Sequence, residues 1–501
     1  MEISLLKPDK LDSQKILLLP LFEDIPFSQS APEALHDLLE LRAQEKDFEA
    51  KPGQSLTVFP DFEDFPSKVI LAGFGKSSRL SGKTVRESIA VATRHAKSLK
   101  VNELSVYLND PLNHYAQELA EGIGLANYNP AKYQTGKNKQ ANEKKELKKV
   151  NFIITESDRK KFKQLSESLF KGLELSSSVN LVRDLVNGPH NYVNGDSLVE
   201  ESIKIAKVCN AKVTILEEKD LARLGMGAML GVGGAGEYEP RMLILEYKAS
   251  RPLSKRPIVL AGKGITFDSG GYNLKPSQAM SDMKQDMAGA ATILGVFALL
   301  KKFNIRHHVV GILALTENLI GPTAQKVNDI ITAYNGKTIE VANTDAEGRL
   351  ILADAVSYAV DKFKPDCLID LATLTGAIMV ALGDRHAGLF SNDQDLTKKL
   401  RHSGNRTDEL VWPMPIHPDT REKIKGKLAD YVNWEPSGLA GSAKGAAFIE
   451  AFVGKTKWAH LDIAGTAFVK EPKKYDHPGA TGYGVRLLMD FLAQGVSDIK
   501  Q

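Results

Sequence analysis

Cysteine is nearly absent: Cys209 and Cys367 are the only two in 501 residues. That is too few for a disulfide framework, and both lie in apolar runs that suit buried thiols of a reducing compartment. An excess of one charge is missing as well. A formal net charge of +3 over this length argues neither for nor against a nucleic-acid partner. No uninterrupted apolar run reaches the roughly 18 residues of a membrane span, and residues 1–7 lack the basic start and long apolar core of a signal peptide. These absences lead to the expectation of a cytoplasmic protein with no membrane contact. Other absences narrow the chemistry. There is no HExxH and no close-set cysteine pair to hold a metal through nitrogen or sulfur, and no complete phosphate-binding loop. No G-x-S-x-G elbow supports a serine hydrolase, and neither an internal repeat nor an extensive low-complexity segment interrupts the chain.

What is present reads as α/β throughout. The length predicts two to four domains. In the first 150 residues, short apolar runs at 16–22, 69–74 and 104–108 read as strands, with a last one just beyond at 152–154, and helical spacing appears at 85–99 and 112–125. The lysine-rich stretch 136–149 reads as an exposed loop or hairpin. A long helix over 160–185 then leads to a second region with strand-like runs at 212–216, 242–247, 258–261, 308–315, 338–342 and 367–371. Helices are expected at 281–302, 350–362 and 443–452. The expected architecture is a smaller N-terminal α/β domain over 1–158. A larger catalytic α/β domain over 159–501 follows, with a central mixed sheet flanked by helices. In such sheets the site lies at the carboxyl ends of the strands.

Two segments carry the chemistry. In Asn343-Thr344-Asp345-Ala346-Glu347-Gly348-Arg349-Leu350, an extended backbone puts Asp345, Glu347 and Arg349 on one face. Neighbouring acids repel unless a cation sits between them, and metal ions are the usual answer. Arg349 adds a fork suited to a planar oxyanion. The alternative is a polar loop with a surface ion pair. The second segment runs Gly262-Lys263-Gly264-Ile265-Thr266-Phe267-Asp268-Ser269-Gly270-Gly271 and on to Lys275. It starts where the strand 258–261 is expected to stop, and its glycines permit close backbone approach to a ligand. Asp286 follows on the expected helix 281–302, where a carboxylate among apolar neighbours needs a cation or a partner such as Lys284. Asp268, Asp286, Asp345 and Glu347 together offer oxygen donors for two divalent ions.

These segments resemble the signatures of the leucine aminopeptidase family, whose hallmark N-T-D-A-E-G-R is complete here at 343–349. The order and spacing of Lys263, Asp268, Lys275, Asp286, Asp345, Glu347 and Arg349 match it, with weaker echoes at 181–187, 370–376 and 460–466. The resemblance implies an aminopeptidase acting on peptides with a free N-terminus and using two divalent ions, Mn²⁺ or Zn²⁺. One ion would be held by Lys263, Asp268, Asp286 and Glu347. The other, more exchangeable, would be held by Asp268, Asp345 and Glu347. Lys275 would polarise the scissile carbonyl, and Arg349 would hold a bicarbonate acting as general base. Met283, Thr373 and Gly376 would shape the pocket for the N-terminal side chain. The family's homohexamers imply the same assembly. Some members also bind DNA, and the lysines of 137–149 are the candidate surface, though the interspersed Glu143 and Glu146 leave that role unsupported. A narrow dipeptidase, acting for example on Cys-Gly, is the closest enzymatic alternative. A dinucleotide site at Gly231-x-Gly233-x-x-Gly236 fails on context, because its strand comes after the glycines.

Overall fold

Strands that read as unbroken apolar runs must be covered on both faces, and the central strands of the two large sheets of this protein are. A computed structural model describes residues 1–7, 15–36, 48–60, 66–472 and 475–494. Contacts divide the chain into one unit of 1–180 with 471–477, and a second of 181–470 with the residues from 478 onward. The chain passes from the first to the second within the helix Phe162–Asn187.

The first unit holds six strands: β1 (Glu2–Leu6), β2 (Ile16–Leu21), β3 (Ser55–Val58), β4 (Lys68–Gly73), β5 (Glu103–Leu108) and β6 (Lys149–Ile154). Their order is β1-β6-β5-β2-β4-β3, parallel except for β3 against β4. Alternate residues of β2 and β4 enter separate cores. Leu18 and Ile70 pack with the helices α1 (Gly82–Ser98) and α2 (Ala116–Ala126), whereas Leu17, Leu19, Val69 and Leu71 pack on the other face. The stretch expected to be a loop or hairpin instead forms a helix, α3 (Gly136–Glu143), with no buried residue. Its lysines, glutamine, alanine and glutamate are good helix formers, and no proline or β-branched residue opposes them.

The second unit is built on eight strands in the order β15-β14-β17-β13-β9-β10-β8-β7. They are β7 (Lys212–Leu216), β8 (Arg241–Tyr247), β9 (Ile258–Asp268), β10 (Val309–Asn318), β13 (Cys367–Ala372), β14 (Ala387–Ser391), β15 (Val411–Pro413) and β17 (Trp458–Asp462). The central four, β17-β13-β9-β10, run parallel, and antiparallel pairs flank them at β14/β17 and β10/β8. The sheet is therefore mixed, as expected. A small sheet joins β11 (Ile330–Thr332), β12 (Thr338–Glu340) and β16 (Tyr431–Val432). Gly231 and Gly233 lie in the helix Gly227–Gly233, which precedes β8, so no strand feeds a phosphate-binding turn there. No helix among the described residues is long and apolar enough to cross a membrane.

Three local expectations are corrected. β9 does not stop at Ala261 but runs to Asp268, so Lys263 and Asp268 are strand residues rather than loop residues. The expected helix 281–302 is broken. A 3₁₀ turn at Met283–Met287 carries Asp286, and the α-helix α4 (Ala288–Leu300) begins only after it. The hallmark segment is not extended either. The chain leaves β12 at Glu340, turns at Thr344 and Asp345, and enters α5 (Gly348–Phe363). Arg349 thus sits in the first turn of a helix, and alternation does not bring it beside the two acids.

Candidate metal centre

Lys263 and Asp268 are five residues apart on β9, which in a regular strand would send them to opposite faces. The pairing with β10 skips here: Ile265 pairs with Thr316, but the next pair is Asp268 with Asn318. One extra residue on β9 makes a β-bulge, and the parity shift returns Asp268 to the face of Lys263. The same strand's glycines allow its neighbours in. A Cβ at Gly262 would meet the backbone of Gly289 and Ala290 at 2.7 Å, and one at Gly348 would meet Lys263 Nζ at 2.7 Å. Lys263 is therefore buried against the start of α5.

Around it four carboxylates converge from three segments: β9, the 3₁₀ turn and the hallmark loop. Asp268, Asp286 and Glu347 are buried, and one oxygen of each lies within 4.8 Å of the others. Lys263 Nζ lies 2.8 Å from Asp286 Oδ2 and 2.6 Å from Glu347 Oε1, and it donates to the Thr373 carbonyl at 3.1 Å. Lys275 Nζ lies 2.9 Å from Asp268 Oδ2 and 2.6 Å from Asp345 Oδ1. Thr373 Oγ1 donates to Asp286 Oδ1 at 2.7 Å. Asn318 Nδ2 and Gly270 N both donate to Asp268 Oδ1, at 2.8 and 2.9 Å. Lys284, the alternative partner for Asp286, instead donates to the Asn187 carbonyl.

The electrostatics are those of a site with too much negative charge. Four carboxylates stand against two ammonium groups, a local excess of two negative charges (four minus two). Burial pushes Asp286 well above the ordinary carboxylate range. Burial, reinforced by Asp268 and Glu347, pushes Asp345 up to about 6. Burial disfavours the Lys263 ammonium, but the carboxylates of Asp286, Glu347 and Asp268 outweigh it and hold that amine above its usual value. Lys275 is raised in the same way, burial being outweighed by Asp268, Glu347 and Asp345. Asp286 Oδ2 and Asp345 Oδ1 are buried with no hydrogen bond in acceptable geometry and have only the lysine ion contacts. Oxygen donors left in this state suit divalent ions, and the residues present fit two of them.

A cavity of about 260 Å³ opens beside the cluster, lined among others by Lys275, Asp345, Arg349, Gly376, Asn433 and Lys444. Arg349 is buried and donates through one terminal nitrogen to the Asn433 carbonyl at 2.9 Å. Its Nε is buried without a partner, and burial lowers its pKa. Gly376 starts the short helix α6 (Gly376–Leu382) at the cavity wall. Met283 opens the 3₁₀ turn of Asp286 and is not among the residues lining the cavity.

Several residues that matter here escaped the sequence reading. Asn318 lies three residues past the expected end of its strand. Asn433 accepts from the backbone of Ala342 and Asn343 and donates to the carbonyls of Asn343 and Ala346, pinning the hallmark loop from a distant segment. Thr344 Oγ1 accepts from Asn273 N and donates to Gly270 O, which locks the two signature segments together. The Thr-Asp pair inside the hallmark was the available signal for Thr344; a lone asparagine 84 residues after Arg349 offered none.

The comparisons agree with this geometry. Residues 180–489 match the model of the cytosol aminopeptidase family, catalytic domain, and 18–137 match that family's N-terminal domain. The chain is 37% identical over 493 residues to a probable cytosol aminopeptidase of Chlorobaculum tepidum, covering 95% of this chain and 96% of the relative. A probable cytosol aminopeptidase of Brucella ovis is 39% identical over 430 residues, with 84% of each covered. Among solved structures, a tomato leucine aminopeptidase mutant superposes with a TM-score of 0.84 at 33% identity, covering 99% of this chain and 96% of that one. A bottromycin maturation enzyme in complex with Mn gives 0.84 at 27% identity, covering 96% and 100%. A catalytic-domain match over more than half the residues, joined by relatives that align almost end to end, means that this chain belongs to the cytosol aminopeptidase family.

Proposed function

We propose that the chain is a metal-dependent aminopeptidase that releases N-terminal residues, leucine among them, from peptides. The observation that carries this reading is the buried Asp268–Asp286–Glu347 cluster at the carboxyl ends of parallel strands, whose oxygens and those of Asp345 are countered only in part by two lysines. Lys263, Asp268, Asp286 and Glu347 would hold one ion. Asp268, Asp345 and Glu347 would hold the second, more exchangeable one. When bound, the ions supply Lewis acidity and a nucleophilic water at neutral pH.

The protein's own groups do the rest. With ions bound, Lys263 would serve as a ligand in its neutral form, its proton released to solvent, because the dications would take over the carboxylates that now keep it charged. Lys275 stays cationic and donates to the oxyanion that develops on the scissile carbonyl. Arg349, with its Nε unpartnered, holds a bicarbonate that supplies the general base. Thr373 orients Asp286 and, with Gly376 and Met283, bounds the space for the N-terminal side chain. In this reading 1–158 form the N-terminal domain and 159–501 the catalytic domain, entered through the linking helix; both matched family ranges fall inside those bounds. Mn²⁺ or Zn²⁺ as the native metal, a cytoplasmic location and a homohexamer belong to the same proposal. The Mn-bound neighbour supports the metal, and the relatives' name, cytosol aminopeptidase, supports the location.

The test is hydrolysis of leucyl anilide by protein loaded with Mn²⁺ or Zn²⁺, with the N-acetylated substrate as control. Expected are leucine release, arrest by a chelator, and no turnover of the blocked substrate. Absence of activity on any free-amine peptide by the loaded protein would refute the assignment.

A further inference from the structure

One wall of the cavity is not helix or strand but a strap of chain, 434–440, between β16 and the helix α7 (Gly441–Glu450). It passes through two left-handed residues, Gly438 (φ +70°) and Ala440 (φ +51°), and it turns apolar side chains outward: Trp434 is 37% and Leu439 74% exposed. An exposed strap with so little apolar burial needs another restraint to keep one shape.

Lys444 supplies that restraint. It stands on the first turn of α7, only 6% exposed, and every oxygen within reach of its ammonium belongs to the strap. Nζ donates to Glu435 Oε2 at 2.6 Å, the Glu435 carbonyl at 3.3 Å and Ser437 Oγ at 3.2 Å. Ser437 Oγ in turn donates to Glu435 Oε2 at 2.5 Å and accepts from Leu439 N at 3.3 Å. Lys444 and Ser437 hold the Glu435 carboxyl down to about 2. Just before the strap, Asn433 grips the hallmark loop and offers its carbonyl to Arg349. Lys444 and Glu435 both line the cavity that contains Arg349, Lys275 and Asp345.

We propose that the Lys444–Glu435 pair is a latch that positions the strap as the cavity wall and so determines which residue is accepted after the scissile bond. This rests on the aminopeptidase reading, in which the substrate amine is held at the carboxylate cluster and the rest of the peptide must leave through the cavity. Latched, the strap fixes one wall of the cavity of about 260 Å³, and the fixed wall sets the size of second residue it admits. Unlatched, the wall is free to move, and selection by size relaxes. Lys444 and Glu435 are positioning residues, acting through the strap rather than on the reacting atoms.

Lys444→Met keeps the buried stem and removes the charge; Lys444→Arg restores the pair. With metal-loaded full-length protein, steady-state rates on Leu-Gly and Leu-Trp are compared. In Lys444→Met the kcat/KM ratio between the two substrates is expected to fall about tenfold, mainly through KM, and to recover in Lys444→Arg. A second readout is independent of turnover. In a Trp412→Phe background, with Trp458 fully buried, acrylamide quenching reports on Trp434. The quenching constant is expected to rise about twofold in Lys444→Met and to return in Lys444→Arg. A Lys444→Met protein with unchanged quenching and an unchanged Leu-Gly to Leu-Trp ratio would overturn the latch, as would an equal loss on both substrates that Lys444→Arg does not rescue. Wild-type protein inactive on both substrates would overturn the aminopeptidase reading, and the quenching experiment would still decide the latch.

Discussion

At the scale of single residues, the site is a set of ion pairs waiting for other cations. Asp345 illustrates the consequence. Its carboxyl is pushed up to about 6 by burial beside Asp268 and Glu347, so in metal-free protein it takes up a proton as the pH falls through that value. A metal ion must displace that proton. Affinity for the more exchangeable ion is therefore expected to be flat above about pH 7 and to weaken roughly tenfold per pH unit well below about 6, as measured by calorimetric titration. An affinity unchanged from pH 5 to 8 would contradict the role of Asp345. Gly348 gives a second test. Alanine there should favour the helix by about 0.5–1 kcal/mol, yet its Cβ would stand 2.7 Å from Lys263 Nζ. Gly348→Ala is expected to retain thermal stability but lose metal affinity by about tenfold or more. Thermal melts and metal titration separate the two effects.

At the scale of elements, the strands and the long helices were legible because their signals are local. The apolar run at 367–371 and the helical spacing at 350–362 match β13 and α5 closely. What stayed hidden depends on partners. The bulge that turns Asp268 inward exists only in the pairing of β9 with β10, and the glycines around it read more readily as a loop. The helix expected through 281–302 breaks before Ala288 because Asp286 is drawn to Lys263 and Thr373. The carboxylates and lysines were legible as a set, whereas Asn318 and Asn433 were not, since nothing in their own segments marks them. One buried acid outside the site tests how elements are stapled. Asp354 on α5 accepts from Met229 N at 2.8 Å and Tyr334 N at 2.7 Å, tying the helix Gly227–Gly233 and the turn after β11 to α5. Asp354→Ala leaves two buried N–H groups unpaired and is expected to cost about 2–5 kcal/mol in denaturant unfolding, with metal affinity retained. A loss below about 0.5 kcal/mol would show that the staple is dispensable.

At the scale of the whole molecule, the parallel centre of the large sheet aims β9, β10, β13 and β17 at one edge, and each contributes there. Lys263 and Asp268 lie on β9, Asn318 ends β10, Thr373 follows β13, and Asp462 ends β17, where it accepts from Thr375 at 2.6 Å and steadies the cavity wall. The sequence pattern predicted the edge through the mixed-sheet architecture, and the family match agrees with it. The central claim is that this edge holds two metal ions between Asp268 and Glu347. Anomalous diffraction from crystals of Mn²⁺-loaded protein tests it most directly. Two peaks are expected roughly 3.5–4 Å apart, one within bonding distance of Lys263, Asp268, Asp286 and Glu347, the other of Asp268, Asp345 and Glu347. Lysine ammonium groups still paired with those carboxylates, and manganese only elsewhere on the protein, would contradict it.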